Sequence, residues 1–427
     1  MALLMVVTPV MAVKAQTERK MKVDELFQLV ESNSKTLQQE KISVEFAQKG
    51  IEVARTARLP ELSASASVAM NGDVLVMDRD FTHAQGFSAP RWGNSLVVEA
   101  QQVVYAGGAV DAGIRLARLQ HEQAQVGVRS TQADQRFLAL GQYLELFKLY
   151  NREEVVRKNI DQTQRLIAVI QAKHEQGMAL KNDVTRYELQ LQSLQLTLHK
   201  LLDQRTILNH QLCNQLGVEG SIVPDLNADY MATESDGETW LTTALTSSPA
   251  IKQAELAGRM ADEELRLAKS ELLPKVALVA ADNLSGPFTY DLPPVDKNIN
   301  YWYVGVGVKY SISSLFKQNK RVRQAETRLR QTEQARDVVA ERLDNQVQQA
   351  YTYLQQAYVE LATRQKSVEL AQQNYQVVSD RYLNQLALIT DMLDASNIRL
   401  NAELQEVDAR INIVYAYYKM KYIAGVL

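Results

Sequence analysis

Residues 54–62 read ARTARLPEL and residues 268–276 read AKSELLPKV. In each stretch a helix-compatible run ends at a proline, Pro60 or Pro274, and an extended run follows. After Pro60, the residues Leu62, Ala64, Ala66, Val68 and Met70 alternate with Ser63, Ser65, Ser67 and Ala69. After Pro274, Val276, Leu278 and Ala280 alternate less cleanly. Each run has a partner beyond a loop of roughly twenty residues, Leu96 to Val104 in the first copy and Tyr301 to Tyr310 in the second. In the latter, Trp302, Val304, Val306 and Val308 share one face, with Tyr301, Gly305, Gly307 and Lys309 on the other. Four strands of about nine to ten residues have the length of a tilted membrane β-strand. Tyr301, Trp302 and Tyr303 sit where an interfacial aromatic belt is expected. The competing reading is a pair of soluble hairpins capping a helical body.

Around these hairpins the chain reads as helix. No proline falls between Pro90 and Pro224 or after Pro294, and proline is what breaks helix interiors. Apolar residues there recur at alternating steps of three and four. Examples are Phe137, Leu140, Leu144 and Phe147, then Tyr187, Leu191, Leu194 and Leu198, and later Leu343, Val347, Tyr351 and Leu354. Leu400, Leu404, Val407 and Ile411 repeat the rhythm, which is that of a coiled-coil seam. Two long helices are expected over 109–175 and 318–384, about 100 Å each at about 1.5 Å per residue. Four helices of half that length are expected over 24–57, 182–215, 237–271 and 391–424. A long helix therefore matches two short ones laid end to end. The first repeat spans 16–215, with its hairpin at 61–104 and a helical turn at 176–181. The second spans 237–427, with its hairpin at 275–310 and a turn at 385–390. Residues 216–236, carrying Gly217, Gly220 and Pro224, read as a connector.

Composition narrows the function. The 427-residue chain has a formal net charge of −3, which argues against a nucleic-acid partner because that requires a basic stripe. Residues 1–15 look like the apolar core of a secretory signal lacking its positive n-region, as in a signal shortened at its start, with cleavage before Gln16. The alternative there is a short buried N-terminal helix. The lone Cys213 fits an exported protein held by packing, and no lipid-attachment cysteine follows the signal. No phosphate loop, HExxH, CxxC or GxSxG motif occurs, and the five histidines form no helix-face pair. The expectation is a protein without catalysis, cofactor or metal.

Residues 380–397 read DRYLNQLALITDMLDASN. The apolar run Leu386, Ala387, Leu388 and Ile389 interrupts a segment free of Gly and Pro, and Asp391 and Asp394 follow at once. The matching span of the first repeat is Gly177, Met178, Ala179, Leu180, Lys181, Asn182 and Asp183. Both read as hairpin tips between helices. Their apolar residues suit either a docking surface for a partner's helical hairpin or packing within the turn. The aspartates equally suit the first turn of a helix, where the backbone dipole favours them. Gln385 in place of a glycine predicts a turn built differently from the first.

Four strands cannot close a barrel, and an open edge cannot face lipid. Three copies would supply twelve strands, an even number within the outer-membrane range; two or four would also close. The doubled plan, the Leu-Pro pairs before the strands, Tyr105-Ala-Gly-Gly108 at the start of the first long helix, and the two tips together resemble the trimeric outer-membrane efflux and secretion channels typified by TolC. The resemblance covers essentially all of the mature chain. It implies a mainly α protein with a membrane β-barrel, in which long antiparallel coiled-coil helices form an α-barrel in the periplasm. It implies a homotrimer in the outer membrane of a Gram-negative-type bacterium, a periplasmic adaptor, and an inner-membrane efflux or secretion pump that drives a passive conduit. It places Asp391 and Asp394 as acidic rings at the narrowest point, and Tyr382 and Asp183, with Asn182 beside it, as holding the entrance shut. Where the family's best-known member carries an assisting arginine, this chain has Ala387. The alternative function is a periplasmic or surface coiled-coil scaffold with soluble hairpins.

Overall fold

A computed structural model describes residues 18–226, 236–288 and 294–427. The expected signal over 1–15 lies outside the described residues, as does part of the 216–236 connector. Among the described residues no helix is long and apolar enough to cross a membrane. The chain forms two compact units. One takes residues up to 41 together with 126–252 and 338–427, and the other takes 42–125 and 253–337.

In chain order, the elements begin with β1 (Glu18–Met21), α1 (Val23–Asn33), α2 (Lys35–Thr56) and β2 (Glu61–Met70). A small hairpin of β3 (Val74–Val76) and β4 (Gln85–Phe87) precedes β5 (Trp92–Tyr105). Next are α3 (Ala109–Glu175), α4 (Lys181–Leu216), β6 (Ser221–Pro224), α5 (Gly237–Ser247) and α6 (Pro249–Ser270). The chain closes with β7 (Lys275–Gly286), β8 (Ile299–Lys309), α7 (Ser314–Leu383) and α8 (Ile389–Ile423).

Two expected helices are each broken in two. The stretch 24–57 divides at Ser34 and the stretch 237–271 at Ser248, both serines being extended (ψ 115° and 127°) and closing the preceding helix. Ser34 Oγ accepts from the Leu37 N–H at 3.3 Å, so the serine caps the next helix. Pro249 occupies the first position of α6, where its missing N–H costs nothing. The apolar rhythm runs through both breaks, which is why periodicity alone joins the pieces.

The first unit buries its core among α1, α3, α4, β6 and α8, with Leu26, Leu140, Tyr143, Leu146, Leu212 and Leu216 all inaccessible. β1 pairs in parallel with β6 over Glu18–Met21 and Ser221–Pro224. Tyr143 closes this clasp: its hydroxyl donates to the Met21 carbonyl at 2.7 Å and accepts from the Asp225 N–H at 2.9 Å. A second cluster packs Trp240 and Ala244 of α5 and Ile251 of α6 against Leu343, Val347 and Ala350 of α7 and Met420 of α8. Alanines recur every seven residues along α8, at 395, 402, 409 and 416; the first three are buried and the fourth packs at the edge of a cluster. Side chains this small let neighbouring helices approach closely.

The second unit holds a four-stranded antiparallel sheet of order β2-β5-β7-β8. Register sorts its side chains into two faces because residues directly opposite share a side. One face carries the rows Leu62–Ala100–Ala280–Val304 and Ala64–Val98–Asp282–Trp302, with Leu278–Val306 and Val276–Val308 beyond. The other carries Ser63–Glu99–Ala281–Tyr303, Ser65–Val97–Asn283–Tyr301, and Lys275 opposite Lys309. The apolar face is uncovered, with Val68, Trp302, Val304 and Val306 between 66% and 74% exposed. Asn94, Gln102, Asp282 and Asn300 are the polar departures on that face, and Asp282 accepts from Asn300 Nδ2 at 2.9 Å. Trp302 lies on the apolar face, whereas Tyr301 and Tyr303 fall on the polar one because alternation separates neighbours.

Candidate functional site: the paired helix turns

The two tips have one construction. At the first, Gly177 has φ 76° and at the second Gln385 has φ 64°, both left-handed. The Gly177 and Met178 N–H groups donate to the carbonyls of His174 (2.9 Å) and Lys173 (2.8 Å). The Gln385 and Leu386 N–H groups donate to those of Tyr382 (3.0 Å) and Arg381 (2.8 Å). Each is the Schellman closure of a helix C-terminus. The expectation that Gln385 forces a different turn is therefore corrected: glutamine takes the same left-handed conformation, at a cost of about 1 kcal/mol for a residue with a Cβ. Gln385→Gly is expected to stabilise the protein by up to about 1 kcal/mol, seen as a higher midpoint in thermal loss of helical circular dichroism. An unchanged or lower midpoint shows the strain to be absorbed elsewhere.

Each following helix starts identically. Asp183 Oδ2 accepts from the Leu180 N–H at 3.3 Å, and Asp391 Oδ2 accepts from the Leu388 N–H at 3.1 Å. The two aspartates thus satisfy donors that helix starts leave open, and they favour the positive end of the dipole. Asp394, one turn further on, and Asn182 are exposed, with no hydrogen-bond partner among the described residues.

The apolar tip residues divide. Leu180, Leu386 and Leu388 are 68–70% exposed and Met178 is 46% exposed. Ile389 instead points inward and is buried, with Ala179 and Ala387 half-buried at the edge of the same cluster. That cluster joins all four helices that meet at the tips: Ile167 and Ile170 of α3, Val184 and Tyr187 of α4, Tyr382 of α7, and Ile389 and Met392 of α8. Tyr382 is 8% exposed at its centre. Burial first, and then the negative charge of Asp183, hold its hydroxyl above the ordinary tyrosine range. Tyr382 and Asp183 are thus neighbours, though the aspartate spends its hydrogen bond on the helix start. Lys173 Nζ donates to the Leu383 carbonyl at 2.5 Å and ties the first tip to the end of α7. His174 Nδ1 donates to the Ala179 carbonyl at 2.9 Å across the first turn.

One residue absent from the sequence reading stands behind the tips. Arg399 of α8 is 7% exposed. Its guanidinium lies 3.8 Å from the ring centre of Tyr375 on α7 and donates to Asn159 Oδ1 (3.1 Å) and Gln162 Oε1 on α3. Glu403 is 3.8 Å from Arg399 Nε and accepts from Asn159 Nδ2 at 3.0 Å. The buried Tyr187 hydroxyl nearby has no partner among the described residues, and burial above all pushes its pKa upward. The alanine heptad of α8 is the signal that could have found Arg399, since 399 falls between Ala395 and Ala402 on the buried stripe.

Comparison with known proteins follows the doubled plan. The sequence pattern described as outer membrane efflux protein matches residues 26–218 and again 240–426. Outer membrane efflux protein BepC of Brucella suis biovar 1 (strain 1330) is 20% identical over 401 residues, covering 92% of this chain and 83% of BepC. Among solved structures, CusC aligns over 98% of both chains with a TM-score of 0.79 at 14% identity. The outer membrane protein VceC of Vibrio cholerae aligns over 94% of this chain and 96% of its own, with a TM-score of 0.74 at 15% identity.

Proposed function

This chain belongs to the outer membrane efflux protein family and is an outer-membrane efflux channel, and on that premise we propose how it closes, opens and docks. Three copies join edge to edge, β8 of one beside β2 of the next, into a twelve-stranded barrel. The observation that carries this is the sheet itself: two edges unpaired among the described residues, one uncovered and mostly apolar face, and one mixed face that carries Ser63, Ser65, Glu99, Lys275 and Lys309. An apolar face of that kind is lipid-compatible, and the edges need partners in a membrane. Residues 16–215 and 237–427 act as the two repeats about the 216–236 connector, with 1–15 as the export signal. The coiled-coil scaffold with soluble hairpins finds no support in a sheet whose apolar side is bare.

The tips form the periplasmic entrance. Asp391 and Asp394 of three copies make acidic rings that favour cations. Tyr382, with Asp183 and Asn182, keeps the two hairpins of each copy together in the closed state. Met178, Leu180, Leu386 and Leu388, flanked by Gly177, Ala179, Ala387 and Ile389, meet the helical hairpin of a periplasmic adaptor. An inner-membrane pump supplies the energy, and the chain contributes a passive path without catalysis or cofactor. The relatives are channels rather than enzymes. In planar bilayers, detergent-purified protein is expected to conduct with a cation preference that falls several-fold in Asp391→Asn with Asp394→Asn. An unchanged preference removes the rings from the gate. Failure to conduct or to need detergent overturns the barrel.

A further inference from the structure

The apolar row of β8 continues past the strand. Trp302, Val304, Val306 and Val308 are 66–74% exposed, and the alternation extends to Tyr310, 42% exposed, one residue beyond. Trp302 and Tyr310 are eight residues apart, roughly 26 Å of extended chain. At the tilt of about 40° that barrel strands take, this covers about 20 Å of the band of about 25 Å that a membrane barrel shows to hydrocarbon, with aromatic residues at both rims. Tyr310 therefore marks the rim from which the chain enters the helices.

The charge changes abruptly there. Ser311 to Arg323 contains Lys317, Lys320, Arg321 and Arg323 and no acidic residue. All four side chains are exposed, and none has an acidic partner among the described residues. Beside them Phe316 and Ile312 are 76% and 71% exposed. The corresponding start of α3 is different: Asp111 is paired with Arg58, and Arg115 with the largely buried Glu263 at 2.9 Å. At the first junction Arg115 is answered within the chain and Arg118 is not, whereas at the second none of the four cations has an acidic partner among the described residues. Lys317 to Arg323 occupy about 9 Å of helix, directly below a rim at which a headgroup layer of about 5–8 Å begins.

We propose that the first three turns of α7 form a cationic collar that binds the phosphodiester headgroups of anionic phospholipids in the periplasmic leaflet of the outer membrane. The long stems of Lys and Arg reach upward to the phosphates while Phe316 and Ile312 enter the acyl boundary. Each cation near an anionic surface contributes about fivefold to apparent affinity. The inference rests on the membrane barrel reading, and the test separates the two.

Trimer exchanged into mixed micelles of equimolar phosphatidylglycerol and phosphatidylcholine is washed, and the retained lipid is quantified. The expected result is several-fold enrichment of phosphatidylglycerol, falling toward parity in the variant with Lys317→Gln, Lys320→Gln, Arg321→Gln and Arg323→Gln. Should that variant not assemble, the same enrichment in unaltered protein is expected to fall between about 0.05 M and about 0.5 M salt. Lipid retained without enrichment, or enrichment indifferent to salt and to the substitutions, overturns the collar and leaves the barrel intact. No retained lipid at all overturns the barrel. If the substitutions change anion conductance and leave lipid enrichment untouched, the cations face the conduit and the lipid assignment is wrong.

Discussion

Arg399→Ala is expected to cost the helical unit about 3–5 kcal/mol. The substitution removes the guanidinium from a site where the side chains of Arg399 and Glu403 are only 8% and 12% exposed. Glu403 is left as a buried carboxylate whose remaining donor is Asn159 Nδ2 at 3.0 Å. Asn159 Oδ1 and Gln162 Oε1 on α3 lose a charged donor, and the Tyr375 face on α7 loses the cation stacked at 3.8 Å. Three helices are held by this one side chain, so the loss falls on their mutual packing. Thermal unfolding followed by circular dichroism measures it, and a midpoint within about 1 °C of the parent would show the network to be dispensable. Arg399→Lys keeps the charge without the planar fork and is expected to recover only part of the loss. Arg399→Met combined with Glu403→Gln removes both charges at similar volume and is expected to fall closer to the parent than Arg399→Ala.

Tyr382→Ala is expected to raise conductance through the tips. Tyr382 lies where the α3–α4 hairpin meets the α7–α8 hairpin, packed among Ile170, Val184, Ile389 and Met392. Truncating a buried aromatic costs about 3–5 kcal/mol. If that contact exists only with the hairpins together, even 3 kcal/mol shifts the equilibrium toward separation by more than about a hundredfold. Single-channel records would show a longer open time. Tyr382→Phe distinguishes packing from hydroxyl chemistry: it keeps the ring, so a conductance matching the parent assigns the closure to burial. An increase equal to that of Tyr382→Ala would assign it to the hydroxyl beside Asp183 and overturn the packing account.

Local sequence chemistry marked some of these features and hid others. The Leu-Pro steps and the alternation after them were enough to mark strands, because period two is a direct consequence of the pleat. The breaks at Ser34 and Ser248 were hidden by an apolar rhythm that carries across a single extended residue. Yet Pro249 stood in plain view inside the expected 237–271 helix, and a proline there marks a start as readily as it forbids an interior. Gln385 shows the converse. Its left-handed conformation follows from bonds to Tyr382 and Arg381 that the fold imposes, and no propensity of glutamine announces it. Arg399 escaped because its hydrogen-bond acceptors Asn159 and Gln162 lie 240 and 237 positions away on α3; the spacing of alanines around it and Glu403 four residues on are the local signals.

The Tyr143 clasp sets an order of events for a chain delivered across a membrane from its first residue onward. The hydroxyl donates to a residue 122 positions earlier and accepts from one 82 positions later. The clasp is not complete until Asp225 has emerged, by which time one entire β-pair, the first tip and both of its helices are already on the far side. The first half of the molecule thus has all the parts of its own fastening before the second half has begun to arrive.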